Sequence, residues 1–124
     1  MSPRLLARVL AAGRIALGLG LLAMPARVGA GWLGELAERP AVGALLRLIG
    51  ARDLVLGAIA LHTIDHPEVG PRWQATCAAV DSSDVLATVA ARADLPPAGA
   101  AGTVVLAGAA AAIGGYCSRA LRGA

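Results

Sequence analysis

The sequence predicts an all-α protein, one domain built as a bundle of four transmembrane helices, and three observations predict it. Of 124 residues, 57% are hydrophobic and only 15% are charged, where a soluble domain carries about 25% charged residues. Four apolar stretches each approach the roughly 20 helical residues that cross about 30 Å of hydrocarbon, and prolines punctuate the gaps between them. The three aromatics, Trp32, Trp73 and Tyr116, fall at or just outside the ends of those stretches, where amphipathic rings meet the headgroups. With no phenylalanine in the chain, the core must be Ala, Leu, Val and Gly, which suits close helix contact in lipid.

The first stretch, roughly 5–24, reads LLARVLAAGRIALGLGLLAM and ends at Met24-Pro25, because the residue before a proline is pushed out of helix. The second, roughly 41–62, is opened by Pro40 and closed before Pro67. The third, roughly 73–92, is entered from Gly70-Pro71 and stopped before Pro96-Pro97. It is the weakest span, since two acids at its centre would be costly against lipid. The fourth, roughly 98–117, carries no charge and offers a face for a second copy of the chain. The segments between are read as short connections. Arg8 and Arg14 interrupt the first stretch, unlike the apolar core of a cleavable signal.

Four spans put both termini and the 63–72 loop on one side. That side holds Arg4, Arg8, Arg72, Arg119 and Arg122; the other holds Arg27, Arg39 and Arg92. The excess predicts a multi-pass cell-membrane protein with cytoplasmic termini.

Several function classes fall away. A net charge of +3 with no basic block and no interleaved aromatics does not predict a nucleic-acid partner. Cys77 and Cys117 are too few and too far apart for a disulfide framework or a zinc motif. His62 and His66 have the four-residue spacing of a helical chelate, but the helix is ending there and Pro67 follows. Neither a metal nor a cofactor is expected.

The depth of the remaining charges carries the functional reading. Arg14 is near the middle of the first span, Arg52 and Asp53 near the middle of the second, and Asp81 and Asp84 straddle the middle of the third. An unpaired charge at the bilayer centre costs about 3 kcal/mol on insertion scales, so five at one depth are expected to meet. Gln74, Cys77, Asp81, Asp84 and Thr88 are spaced 3, 4, 3 and 4 apart, one stripe of a helix that must face inward. Ser82 and Ser83 can return their hydroxyls to their own backbone. Two arginines against three aspartates leave one surplus negative charge, and arginine does not lose its proton. One carboxyl is therefore expected to keep a proton beside an ionised neighbour, the arrangement used for acid-base work.

Asp81, Asp84, Asp53, Arg52 and Arg14 are thus the candidate catalytic residues. Gln74, Thr88 and Arg47 are the candidate substrate-binding ones. Arg47 lies about 7.5 Å along the axis and roughly 140° around from Arg52; either it reaches for the interface or it meets a second subunit.

RLIGARDLVLG (47–57), followed by a tryptophan-led segment carrying AAVDSSDVLA (78–87), resembles an uncharacterised family of small four-helix integral membrane proteins common in actinobacteria. That family has a Gly-x-Arg-Asp signature on its second helix and paired aspartates on its third. The resemblance covers most of the chain. It implies a four-helix membrane fold with Arg52, Asp53, Asp81 and Asp84 as signature residues, and it supplies no activity.

Three functions compete. A membrane enzyme would use the aspartates as general acid and base on an apolar, lipid-like molecule, for example in epoxide hydrolysis or cyclisation on an isoprenoid or polyketide chain. Asp81 or Asp84 would donate to the oxygen, the other would activate water or an internal hydroxyl, and Arg52 and Arg14 would orient them. An Asp-Arg-Asp arrangement serves one class of soluble epoxide hydrolases, an analogy of chemistry only. The alternatives are a proton-coupled transporter and a structural or accessory subunit. An enzyme predicts a ligand-sized cavity beside the aspartates, a transporter a water path, and a structural network full pairing with no cavity.

Overall fold

The computed structural model describes residues 1–124 and contains five helices and no strand. They are α1 (Pro3–Ala23), α2 (Pro25–Leu33), α3 (Pro40–Thr63), α4 (Val69–Ala90) and α5 (Pro97–Arg122), with 3-10 turns at Gly34–Glu38 and Arg92–Asp94. Prolines set four of the five starts, because proline at the first helical position lacks only an N–H that has no partner there. Ser2 completes the first start, its hydroxyl accepting from the backbone N–H of Leu5 at 3.2 Å.

Three boundaries differ from the sequence reading, the last of them the end of α5 at Arg122 in place of 117. Residues 25–40, read as a connection, fold into α2 and a 3-10 turn. Pro25 restarts a helix one residue after α1 ends, and Val28, Trp32 and Leu33 pack against Leu21, Ala37 and Leu46. The second difference is α4, which begins at Val69 and not at 73. Pro71 sits in its first turn, where proline is tolerated, and His66 Nδ1 accepts from the Val69 N–H at 3.2 Å.

The helices form two antiparallel pairs, α1 with α3 and α4 with α5. The pairs meet where α1 touches α5 and α3 touches α4, so the order around the bundle is α1, α3, α4, α5. In the first pair Gly18 and Gly50 bring the backbones together. A Cβ on Gly18 would lie 2.6 Å from the Gly50 carbonyl oxygen, and one on Gly50 would lie 2.8 Å from that of Gly18. Gly34, at φ 59°, turns the chain between α2 and the 3-10 turn, a conformation that a side chain disfavours.

Packing along the bundle is layered. Ala7, Ile64, Cys117 and Leu121 close the end that holds both termini, with Ala11, Ala60 and Cys77 next. Leu21, Ala37 and Leu46 close the other end. Between the apolar layers lies a polar one. Asp53, Gln74, Asp81 and Thr88 are buried, while Leu48, Leu86, Val105 and Leu106 are each about two-thirds exposed or more. This inverts the usual distribution, in which charges are almost never buried.

Two helices, α1 and α5, are long and apolar enough to cross a membrane. The other two long helices carry more charge: Arg52 and Asp53 on α3 and Asp81 and Asp84 on α4 face inward, while Arg47 and Arg72 are exposed.

Candidate functional site: an alternating Asp-Arg chain beside a cavity

The stripe on α4 faces inward as its spacing requires. Gln74, Cys77, Asp81 and Thr88 are buried and Asp84 is partly so. The two serines outside the stripe bond to their own helix, Ser82 to the Ala78 carbonyl at 2.8 Å and Ser83 to the Val80 carbonyl at 2.7 Å.

The five charges join as one chain of alternating sign: Asp81, Arg14, Asp53, Arg52, Asp84. Arg14, on α1, reaches diagonally across the bundle to place Nη2 2.6 Å from both Asp81 oxygens, while its Nη1 donates to Asp53 Oδ1 at 3.1 Å. Arg52 donates to the same Asp53 oxygen at 3.3 Å. It also grips Asp84 with a two-pronged fork, at 3.0 and 2.8 Å. Fork geometry of this kind is what distinguishes Arg from Lys at such a site. Asp53 Oδ1 thus accepts from both guanidiniums.

The chain runs from dry to open. The side chains of Asp53, Arg14 and Asp81 are 5%, 11% and 11% exposed, whereas Arg52 and Asp84 are each 33% exposed. The reason is a cavity of about 350 Å³ against the Arg52 end, with walls from all five helices. Arg52, Asp53 and Asp84 line it; Leu17, Trp32, Ile49 and Leu106 are among its apolar walls. Its volume is within the range of ligand sites, at the small end. Two of its walls, Leu17 on α1 and Leu106 on α5, are also on the outside of the bundle, 41% and 67% exposed.

Each candidate residue therefore has a place. Arg52, Asp53 and Asp84 meet the cavity. Arg14 and Asp81 belong to the same chain of bonds but lie behind it, off the lining. Gln74 and Thr88 are fully buried and likewise off the lining. Arg47 points away, its Nε donating to the Leu22 carbonyl at 3.2 Å. Of the histidine pair, His66 serves the start of α4. No group of three or more His, Cys, Asp or Glu is placed to hold a metal ion.

Trp32 and Val28 of α2 are site residues that the sequence reading passed over. The signal for Trp32 was present, an isolated tryptophan seven residues past Pro25, but it was read as a headgroup anchor.

No protein-family model, curated protein or solved structure matches the chain.

Proposed function

We propose that this chain is a four-span membrane protein that admits an apolar, lipid-like molecule sideways from the bilayer and acts on it by acid-base chemistry. One observation carries the reading: an apolar, ligand-sized cavity with Asp84, Arg52 and Asp53 side by side on its wall. The membrane part draws support from all four long helices. Each presents large apolar side chains outward, Leu5 and Val9 on α1, Leu45 and Leu48 on α3, Leu86 on α4, Val105 and Leu106 on α5. The acids that burdened the third span face inward, paired, as an intramembrane charge must. The excess of arginine at the terminal end favours cytoplasmic termini. The residues that carry the resemblance to actinobacterial four-helix proteins, Arg52, Asp53, Asp81 and Asp84, are the members of the ionic chain other than Arg14.

The reaction that suits the trio is epoxide opening. Asp84, positioned by the fork of Arg52, takes a proton from water. The water oxygen bonds to an epoxide carbon as that carbon's bond to the ring oxygen breaks. Asp53, carrying the one proton that three carboxyls keep against two guanidiniums, delivers it to the departing oxygen from Oδ2, the oxygen to which neither arginine donates, and Arg52 keeps both carboxyls in place. A vicinal diol results, and return of a proton from Asp84 to Asp53 resets the site. An internal hydroxyl in place of water gives cyclisation. The acid-base partner of Asp84 is thus Asp53, from α3, in place of its sequence neighbour Asp81.

The test is turnover of long-chain epoxides by the protein in lipid nanodiscs. Asp84→Asn and Asp53→Asn should each lower turnover about a hundredfold or more, the usual worth of a general acid or base, with helical content retained. Equal turnover by wild type and both variants, or none by wild type, ends the proposal. A second reading, a purely structural network, is favoured by one fact: all five charges are paired. It requires that both variants lose the folded bundle.

A further inference from the structure

Four buried side-chain polar atoms in the molecule have no hydrogen-bond partner: Trp32 Nε1, Arg52 Nε, Gln74 Nε2 and Thr88 Oγ1. Gln74 and Thr88 are off the cavity. Trp32 and Arg52 both line it, and both orphan groups are N–H donors that cannot accept. Such groups are rare in native proteins and call for a partner.

The backbones that carry the two donors belong to opposite ends of the cavity. In the α4–α5 pair, Gly114 lies against Gln74 and Ala78, so antiparallel counting puts Asp84, and with it Arg52, level with Leu106. The backbone of Trp32 rests on Gly99, close enough that a Cβ there would collide with the Trp32 carbonyl. From Leu106 to Gly99 is seven residues, about 10 Å at 1.5 Å per residue. Between the two levels the wall is mainly apolar, from Leu17, Leu21, Ile49 and Leu106.

Resting on the reading above, we infer that the molecule taken into the cavity carries a second oxygen, about 10 Å from its reacting group, and that the indole N–H of Trp32 binds it. The ligand class is an apolar chain with a hydrogen-bond acceptor at each end: a reacting oxygen at the ionic floor, beside Arg52, and an ester, ketone or ether oxygen under α2. A donor-only end such as an ammonium does not fit, because indole has no lone pair to offer. Trp32 is then the residue that selects among apolar chains, a task distinct from the acid-base work of Asp84 and Asp53.

The experiment compares two probes in nanodiscs: the terminal epoxide of decene, and the terminal epoxide of methyl decenoate, which adds an ester at the far end. Wild type should favour the ester-bearing chain by about tenfold in KM, the effect of one added hydrogen bond to a buried donor. Trp32→Phe keeps an aromatic wall without the N–H and should bring that ratio to about one. A wild-type ratio near one overturns the inference, and so does a preference that survives Trp32→Phe. Should the variant not fold, the indole N–H resonance of Trp32 in the wild type decides: it should shift with the ester-bearing chain and not with the plain one, and equal shifts overturn the inference. Turnover of both probes at equal KM leaves the acid-base reading standing and removes only the role of Trp32; turnover of neither removes both.

Discussion

Two aspartates in this protein are each held by two arginines, and they differ in depth. Asp65, in the turn after α3, takes Arg8 at 2.9 Å and Arg4 at 3.6 Å, with its side chain 64% exposed. Asp53, at mid-bundle, takes Arg14 at 3.1 Å and Arg52 at 3.3 Å with 5% exposure. On paper the two groups are alike. Water separates them: around Asp65 it screens the charges and competes for them, so such pairs contribute about 0–1 kcal/mol. Around Asp53 there is little water to take over a lost bond, so each partner is needed by the others.

The widest gap between the two should come from Arg14→Met. It leaves Asp53 short of one partner and Asp81 with none, and unfolding in bicelles should show a loss of about 3–5 kcal/mol. Adding Asp81→Leu to that variant should recover much of the loss, since a well-packed apolar replacement of a buried pair is often neutral. No recovery would mean that the charges themselves hold the two helix pairs together. Next is Gly50→Val, which forces α1 away from α3 and with it Arg14 from Asp53. Overpacking of this kind costs about 1–3 kcal/mol, read as a lowered melting temperature while the Asp65 group is untouched. Asp84→Asn should be milder for stability, about 1 kcal/mol, because its partner is already a third exposed and can rehydrate. Its large effect is on turnover. Smallest is Arg8→Ala, within about 1 kcal/mol, and that difference should vanish in 1 M salt, where screening falls to about 3 Å. The effect of Arg14→Met should persist there.

Much of this was legible in the chain. Pro40 reads as a helix start, and Pro25 and Pro96-Pro97 as stops, because the backbone chemistry of proline is local; that Pro25 and Pro97 also start helices was not legible, yet the observed long helices lie within a few residues of the expected ones. The inward stripe on α4 followed from spacing alone. What sequence could not give was which carboxyls share a cavity. Asp81 and Asp84 are neighbours on one helix face, yet only Asp84 meets the open space, because that depends on how all five helices surround the cavity. Long-range packing sets that arrangement, and no local signal encodes it. Similarly, α2 is too short to be read as a span, and only its contact with Leu21 and Leu46 reveals it as a wall of the site.

The inversion of polar and apolar residues across the bundle also sets how this chain can drift. In a library of single substitutions, Leu48, Leu86, Val105 and Leu106 should exchange freely among aliphatic residues. The interior positions around Arg14 and Asp53 should reject nearly every replacement. The polarity of the residues tolerated at each depth would be the reverse of a water-soluble enzyme's, and the ionic chain would stand out as the most constrained line through the molecule.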